Sequence, residues 1–434
     1  MAQYKIINDT IHGGIKVTGV FLDLCQAPEL QRLAGIRQLG LSYLVFPGAN
    51  HTRLEHSLGT SRVAQKMSHG LGLPKSEADL VCASALLHDI GHGPFSHTLE
   101  GVLRTKCGLD HMELTKDIIL GKQDFVKDGR KIGGPNIPQI LEKHGLDPKA
   151  VAALVTGGET TDGVTLDSYG VQNKQAFFND KHYLGQMIHS ALDADQIDYL
   201  LRDSHYTGVA HGTIDLDRLM LTLELFNNDL AVNKRGISAV EGMLVARSLM
   251  YASVYFHKTV RIAELMLSQA VDRLEEDPTH IQGMVDGELM EYLKGAGKYQ
   301  RDMFNRLKYR RLFKKAFSLS YADLDDETKA HLASVSDPKT TKLKEEEICQ
   351  KAGVEPGYVI LDFPQRELLI NEPRIKLTDV KMVEDGAVKP LQRLSPLAKA
   401  LQAKVIPDWA VMVSADPKDL PVVAKAAKAI LLEQ

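Results

Sequence analysis

Cysteine is scarce in this 434-residue chain: there are four, Cys25, Cys82, Cys107 and Cys349, and no two form a CxxC pair. That spacing gives no thiolate zinc site and no disulfide framework, so a reducing, cytoplasmic setting is expected. A basic excess is also missing. Lysine and arginine number 52 against 56 acidic residues, a net charge of -4, which argues against a general binder of nucleic acid or membrane surface and leaves only a local basic patch open. No uninterrupted apolar run reaches the ~18 residues of a membrane-spanning helix. The opening MAQYKIINDTIHGG lacks a basic segment followed by an apolar one, so neither export nor membrane insertion is expected. Repeats and low-complexity tracts are absent. With 44% hydrophobic and 25% charged residues, the composition is that of a folded globular protein rather than a disordered one.

A chain of this length exceeds one compact core, and a large domain with a smaller one is expected. Residues 4–17 alternate apolar and polar positions around Asn8-Asp9 and Gly13-Gly14, the pattern of a short hairpin. Over 20–39 the period becomes helical, with Leu22, Leu30, Leu33 and Ile36 on one buried face and Pro28 near a helix start. Helical sequence resumes over 52–71 and 75–90. Gly91, Gly93 and Pro94 stop the second of these, leaving His88 and Asp89 at its C-terminal end. Shorter helices are expected at 112–120 and 137–154 with a hairpin-like DFVKDGRKI between them, and 157–170 reads as a loop. Long helices are predicted over 183–206 and 242–274, and a basic one over 301–317 carrying Arg306, Lys308, Arg310, Arg311, Lys314 and Lys315. Residues 219–226 read as helix, followed by the turn NND and a second hairpin in LAVNKRGISAV. After a Lys/Glu/Thr-rich stretch at 334–347, YVILDF, RIKLTDV, AVMVSA and an alanine-rich final helix indicate a small α+β region.

The chemistry concentrates in RLEHSLG and LLHDIGHGPFSH, which bring arginine, histidine, aspartate and glutamate into helix-forming sequence between residues 53 and 97. A hydrolytic metal site needs nitrogen and oxygen ligands that converge while one position stays open. His56, His88 and Asp89 can supply three. Asp195 is the best candidate for a fourth, because Asp195, Tyr199 and Asp203 recur at i, i+4 and i+8 along one helix face. Arg247, Tyr251 and Tyr255 repeat that spacing. Leu200, Leu201, Met243, Leu244 and Met250 surround the two stripes, so both read as buried and in need of polar partners, which a polyanionic ligand would provide.

HTRLEHSLG, LLHDIGHGPFSH, DHMELT and DADQIDYLLRD, in that order, resemble the HD-domain phosphohydrolases, specifically the deoxynucleoside triphosphate triphosphohydrolases of the SAM-and-HD-domain type. The likeness runs from INDTIHGGI through PELQRLAGIRQLG and VFPGANHTR to YFHK and YRRLFKKAF, roughly residues 4–317. It implies a mainly α fold with an HD helical core and short β-hairpins; taken with the composition shift, this places the HD domain at 1–350 and a small α+β C-terminal region at 351–434. His56, His88, Asp89 and Asp195 would be ligands to a divalent ion, of which Fe, Mn, Zn, Ni and Mg all suit such donors. Arg53 would contact the α-phosphate, Gln38 and Asp203 the sugar 3′-hydroxyl, and Leu39 the sugar near its 2′ carbon with support from Tyr255. Gln196, Tyr199 and Arg247 would hold the phosphate tail. His92, His97 and His111 would carry protons, with His97 protonating the departing 5′-oxygen after water attacks the α-phosphorus.

The implied substrate is a deoxynucleoside triphosphate, the products are deoxynucleoside and triphosphate, and the implied assembly is a homodimer or homotetramer. Another nucleotide phosphohydrolase, such as a phosphomonoesterase, and a nucleotide- or nucleic-acid-binding protein without turnover are the alternatives. Three positions depart from the family pattern. Gln196 stands where a lysine is usual, Tyr251 where histidine is frequent, and the acidic neighbour of His111 is displaced to Glu113. Gln26 and Ala34 occupy the places of an aspartate and an arginine of the guanine-selective activator pocket, so GTP activation of that kind is not expected. A different nucleotide effector could use Asn8, Arg32 and the basic helix. His12, His182, His189, His205 and His211 have no clear ligand partner and read as ordinary polar residues.

Overall fold

The computed structural model describes residues 3–108, 110–124, 126, 134–157, 181–364, 380–402 and 409–432. Nearly all of DFVKDGRKI, of the 157–170 loop and of RIKLTDV lies outside the described residues. Helices dominate and the sheets are small, in keeping with the mainly α class. The chain forms two compact units with interleaved segments: one of 1–250, 277–289 and 377–402, the other of 251–276, 290–376 and 403–434. The 350/351 boundary expected from composition falls inside the second unit.

In the first unit, Tyr4–Asp9 and Gly13–Thr18 pair antiparallel with Asp9 opposite Gly13, the hairpin read from the alternation. Pro28 occupies the first turn of the Pro28–Arg32 helix, and Leu22, Leu30, Leu33 and Ile36 are all buried. The Arg53–Gly70 helix starts where it does because Thr52 and Glu55 form a capping box. Glu55 Oε2 accepts from the Thr52 amide at 2.7 Å, and the Thr52 hydroxyl accepts from the Glu55 amide at 3.4 Å. The Lys75–Leu87 helix ends with His88 as its C-cap. A strand hairpin, Leu223–Phe226 with Asp229–Asn233, turns through Asn227 and Asn228 at φ 49° and 64°, values that asparagine tolerates better than most residues. The hairpin therefore flanks NND instead of following it, and the helix before it, Leu216–Thr222, is shorter than expected.

Three expected long helices are broken. The 183–206 segment is two helices, His182–Gln186 and Ala194–Thr207, because Asp193 caps the second by accepting from the Gln196 amide at 2.8 Å. The 242–274 segment divides into Ile237–Met250, a π-turn at Tyr251–Tyr255, and Lys258–Asp272 with His257 as N-cap. Residues 234–255 are by length and mean hydropathy (1.2) capable of crossing a membrane, but half of the stretch is buried and it carries the buried Arg247, as a core helix does.

In the second unit, the 301–317 segment is not one basic helix. Lys298–Lys308 ends before Arg310, at φ 55°, and Lys314–Ser320 is a strand. That strand pairs with Trp409–Ala415, which also pairs with Val359–Asp362, giving a three-stranded antiparallel sheet. Ile348, Val411, Val413 and Ala427 form its buried core with the Pro338–Ala352 and Leu420–Leu431 helices. Arg306 is committed within this unit to Asp302 and Asp416 at 2.7 and 2.6 Å.

Candidate metal centre

His56 lies in the first turn of the Arg53–Gly70 helix, His88 at the end of the next helix, and Asp195 in the first turn of Ala194–Thr207. Helix ends thus deliver all three. One donor atom from each lies within 4.8 Å of the others, a spacing that fits a single ion. The histidine tautomers are set from behind. His88 Nδ1 donates to the Ala85 carbonyl at 2.8 Å, which leaves Nε2 as the lone-pair nitrogen. That Nε2 is buried with no hydrogen-bond partner, 3.2 Å from Asp89 Oδ1 and 3.7 Å from Asp195 Oδ1. A buried imidazole nitrogen without a partner, facing two carboxylates, is costly unless a cation joins them. His56 Nδ1 donates to Asp198 Oδ2 at 2.9 Å, and its Nε2 lies 3.0 Å from Asp195 Oδ1.

Burial works to lower the His56 pKa, but Asp195 and Asp198 outweigh it and push it up to about 10. To hold a metal ion, Nε2 would have to give up that proton. Mn²⁺ binding near neutral pH should therefore release about one proton, and affinity should fall as pH falls. Titration calorimetry in two buffers of different ionisation enthalpy measures the release; equal heats in both would contradict it.

Asp89, the fourth expected ligand, is turned partly away. Its Oδ2 accepts from Arg53 Nη1 at 2.5 Å, and Arg53 Nε donates to Ser96 Oγ at 2.9 Å. Burial would raise the Asp89 pKa, but His88 and Arg53 hold it well below the usual carboxylate range. Arg53 itself is almost fully buried, in the first position of its helix. The loop beyond Asp89 is clamped by side chains from far along the chain. Arg32 donates to the carbonyls of Ile90 (3.0 Å), His92 (2.7 Å) and Met284 (3.3 Å), and Gln282 donates to Gly91 O at 2.7 Å. These contacts give Arg32 a structural task. Phe95 is held at φ 46° with its amide on Asp286 Oδ1 at 3.0 Å.

The three candidate proton carriers cluster. His92 stacks on His111 at 4.3 Å between centroids and meets His97 edge-on at 5.6 Å. His92 Nε2 lies 3.4 Å from Asp89 Oδ1; burial, then Arg53 and His111, lower its pKa well below the usual imidazole value. His111 Nδ1 donates to Glu100 Oε1 at 2.5 Å, so the acidic partner missing beside His111 in sequence comes from the preceding helix. His97 has a side chain 56% exposed, at the rim of this cluster.

Gln38 presents a buried Oε1 without a partner, and Leu39 beside it is half-buried. Asp203 Oδ1 accepts from His51 Nε2 at 2.7 Å, and His51, the first residue of HTRLEHSLG, stacks on Tyr206 at 4.6 Å. Gln196 is buried, donating to Ser190 O at 2.6 Å and accepting from Arg247 Nη1 at 2.9 Å. Where a lysine would repel Arg247, the amide oxygen holds it. Tyr199 is half-buried on the Ala194–Thr207 helix. Tyr251 and Tyr255 belong to the second unit, where their rings meet edge-on at 4.8 Å.

Sequence comparison matches residues 53–203 to the HD domain and residues 214–433 to the HD associated region. The chain belongs to the HD family of phosphohydrolases. Over 423 residues it is 33% identical to an uncharacterized protein of Methanocaldococcus jannaschii, covering 96% of this chain and 80% of that one. It is 27% identical over 353 residues to the deoxynucleoside triphosphate triphosphohydrolase SAMHD1 of Homo sapiens, covering 71% of this chain and 54% of the human protein. A hypothetical protein from Aquifex aeolicus superposes with a TM-score of 0.68 at 26% identity over 98% of this chain and all of that one. A phosphohydrolase from Bacteroides thetaiotaomicron shares the fold, with a TM-score of 0.69 at 24% identity over 95% of this chain and all of that one. The HD motif of the family is His88-Asp89, and in this HD protein His56 and Asp195 gather around it.

Proposed function

We propose that this HD protein hydrolyses deoxynucleoside triphosphates at the α-phosphate, yielding deoxynucleoside and triphosphate. The observation that carries the reading is the convergence of His56, His88 and Asp195 around the partnerless Nε2 of His88, with the guanidinium of Arg53 one carboxylate away. Similarity to triphosphohydrolases of several vertebrates and of Dictyostelium discoideum supports the substrate class. A divalent ion held by these ligands, with Asp89 as a fourth, would supply a Lewis acid for attack of water on phosphorus.

The chain's own residues supply the rest. Arg53 is already desolvated and fixed by Ser96, so it can meet charge growing on the phosphoryl oxygens with little reorganisation. His97, with Glu100 at 4.0 Å from its Nδ1, is the proposed donor to the departing 5′-oxygen; burial and then Arg53 push its pKa down to about 4, so the negative charge of bound substrate would have to raise it before it carries the proton. Gln38 and Asp203 hold the 3′-hydroxyl, Leu39 covers the sugar, and Gln196 aims Arg247 at the phosphate tail, which Tyr199 helps to hold. The working assembly is a homodimer or homotetramer.

Incubation with each dNTP and Mn²⁺ or Mg²⁺, resolved by ion-exchange chromatography, should give tripolyphosphate and deoxynucleoside in equal amounts. Stepwise release of orthophosphate would instead identify a phosphomonoesterase, and nucleotide binding without product a sensor. GTP added to the same assay is expected to leave turnover unchanged, since Gln26 and Ala34 replace the charged pair of the guanine pocket; a strong GTP-specific rise would refute this.

A further inference from the structure

Behind His56 lies a buried ion network that the catalytic reading does not use. The Asp198 carboxylate accepts four hydrogen bonds. Oδ2 takes His56 Nδ1 and Arg202 Nε, each at 2.9 Å, and Oδ1 takes His12 Nε2 at 2.7 Å and Arg202 Nη2 at 3.0 Å. Those bonds fill the lone-pair sites of a carboxylate, so Asp198 cannot itself ligate a metal. Arg202 uses its remaining arm on Asp9 Oδ2 at 2.8 Å, and Asp9 Oδ1 accepts the amides of Ile11 and His12. None of the four side chains is more than 4% exposed. Asp9 and His12 sit at the turn of the N-terminal hairpin, about 190 residues from their partners in sequence. The network also carries one more carboxylate than guanidinium.

We propose that the N-terminal hairpin is the outer layer of the metal centre: Asp198, locked by Arg202 and by the hairpin's Asp9 and His12, is the positioning residue that presents His56 Nε2 to the ion. The inference rests on the metal-site part of the proposed function but not on its substrate. A carboxylate on the far nitrogen fixes the imidazole tautomer and ring orientation and raises its basicity as a ligand. Two of the four bonds that hold that carboxylate come from Arg202, and Arg202 is held in turn by Asp9. Displacing the hairpin would therefore release the ring that binds metal, which makes metal affinity dependent on residues 4–18.

The test reads metal affinity, not turnover, on the full chain. Mn²⁺ is titrated into metal-free protein and the free ion is counted by its EPR signal, with circular dichroism and a thermal melt on each variant. Asp198→Asn should raise the Kd by about 10- to 100-fold; Asp9→Asn and His12→Gln should each raise it at least threefold. A purely structural network would lower the melting temperature and leave the Kd of the folded protein unchanged. Folded Asp198→Asn with a Kd within twofold of the parent overturns the positioning role. Unchanged affinity in both hairpin variants overturns the hairpin's part, and does so even where Asp198→Asn fails to fold. Lack of saturable Mn²⁺ binding by the parent overturns the inference together with the metal site. Saturable binding without dNTP hydrolysis removes only the substrate reading.

Discussion

Asp195→Ala should abolish turnover, by about a thousandfold or more, and leave the protein folded. The two halves of that expectation have different physical grounds. Asp195 brings a carboxylate to 3.0 Å from His56 Nε2 and 3.7 Å from His88 Nε2, so it is the anionic member of the three-residue donor set and offsets the charge of the ion. Its loss leaves only the two imidazoles and an Asp89 already engaged by Arg53. The fold, by contrast, does not hang on it. The side chain is 22% exposed, and the Ala194–Thr207 helix is capped by Asp193, not by Asp195. His56 also keeps its bond to Asp198. Alanine is the best helix former, so any loss of stability should be within ~1 kcal/mol. Initial rates and a thermal melt decide it. Undiminished activity in a folded variant would remove Asp195 from the ligand set, and unfolding would show that the carboxylate serves the core.

Why Asp195 could be picked out in sequence and Asp198 could not is a matter of range. His56 and His88 each sit next to a helix signal that is local, Thr52 and Glu55 before the first and the glycines and proline after the second, and Asp195 stands out by its i, i+4, i+8 stripe with Tyr199 and Asp203. Local signals of this kind survive in one dimension. Asp198 and Arg202 are also one turn apart, but that spacing reads equally well as a solvated helix pair. What makes it a buried network is His12 and Asp9, and a hairpin gives no hint of which helix it will cover. His12 was for the same reason set aside as an ordinary polar residue. Glu100 escaped likewise, since the acid expected next to His111 arrives from another helix. The broken helices share a cause: apolar periodicity continues through 183–206 and 242–274, while the stops at Asp193 and His257 are caps whose effect depends on where the chain turns in space. Lys314–Ser320 is a strand only because Trp409–Ala415 lies beside it.

Gly59→Ala offers the sharpest check on that buried network, because propensity and packing predict opposite signs. Gly59 lies within the Arg53–Gly70 helix, where glycine costs about 1 kcal/mol relative to alanine, so an exposed site would gain stability from the change. A Cβ at this position would stand 1.9 Å from Asp198 Oδ1 and 2.3 Å from Arg202 Nη2. Neither group can retreat: the carboxylate is tied to His12 and His56 and the guanidinium to Asp9, with both side chains wholly buried. Accommodating the methyl means breaking a buried charge pair, which costs roughly 3–5 kcal/mol and exceeds the propensity gain. The melting temperature should fall by roughly 2–5 °C for a chain of this size. Gly242→Ala is the matched control, being a helical glycine of the same unit whose added Cβ meets nothing within 4 Å. It should melt at or slightly above the parent. If Gly59→Ala melts with Gly242→Ala, the Asp198–Arg202 pair yields to a methyl group, and a pair that yields so readily cannot hold His56 in register for a metal.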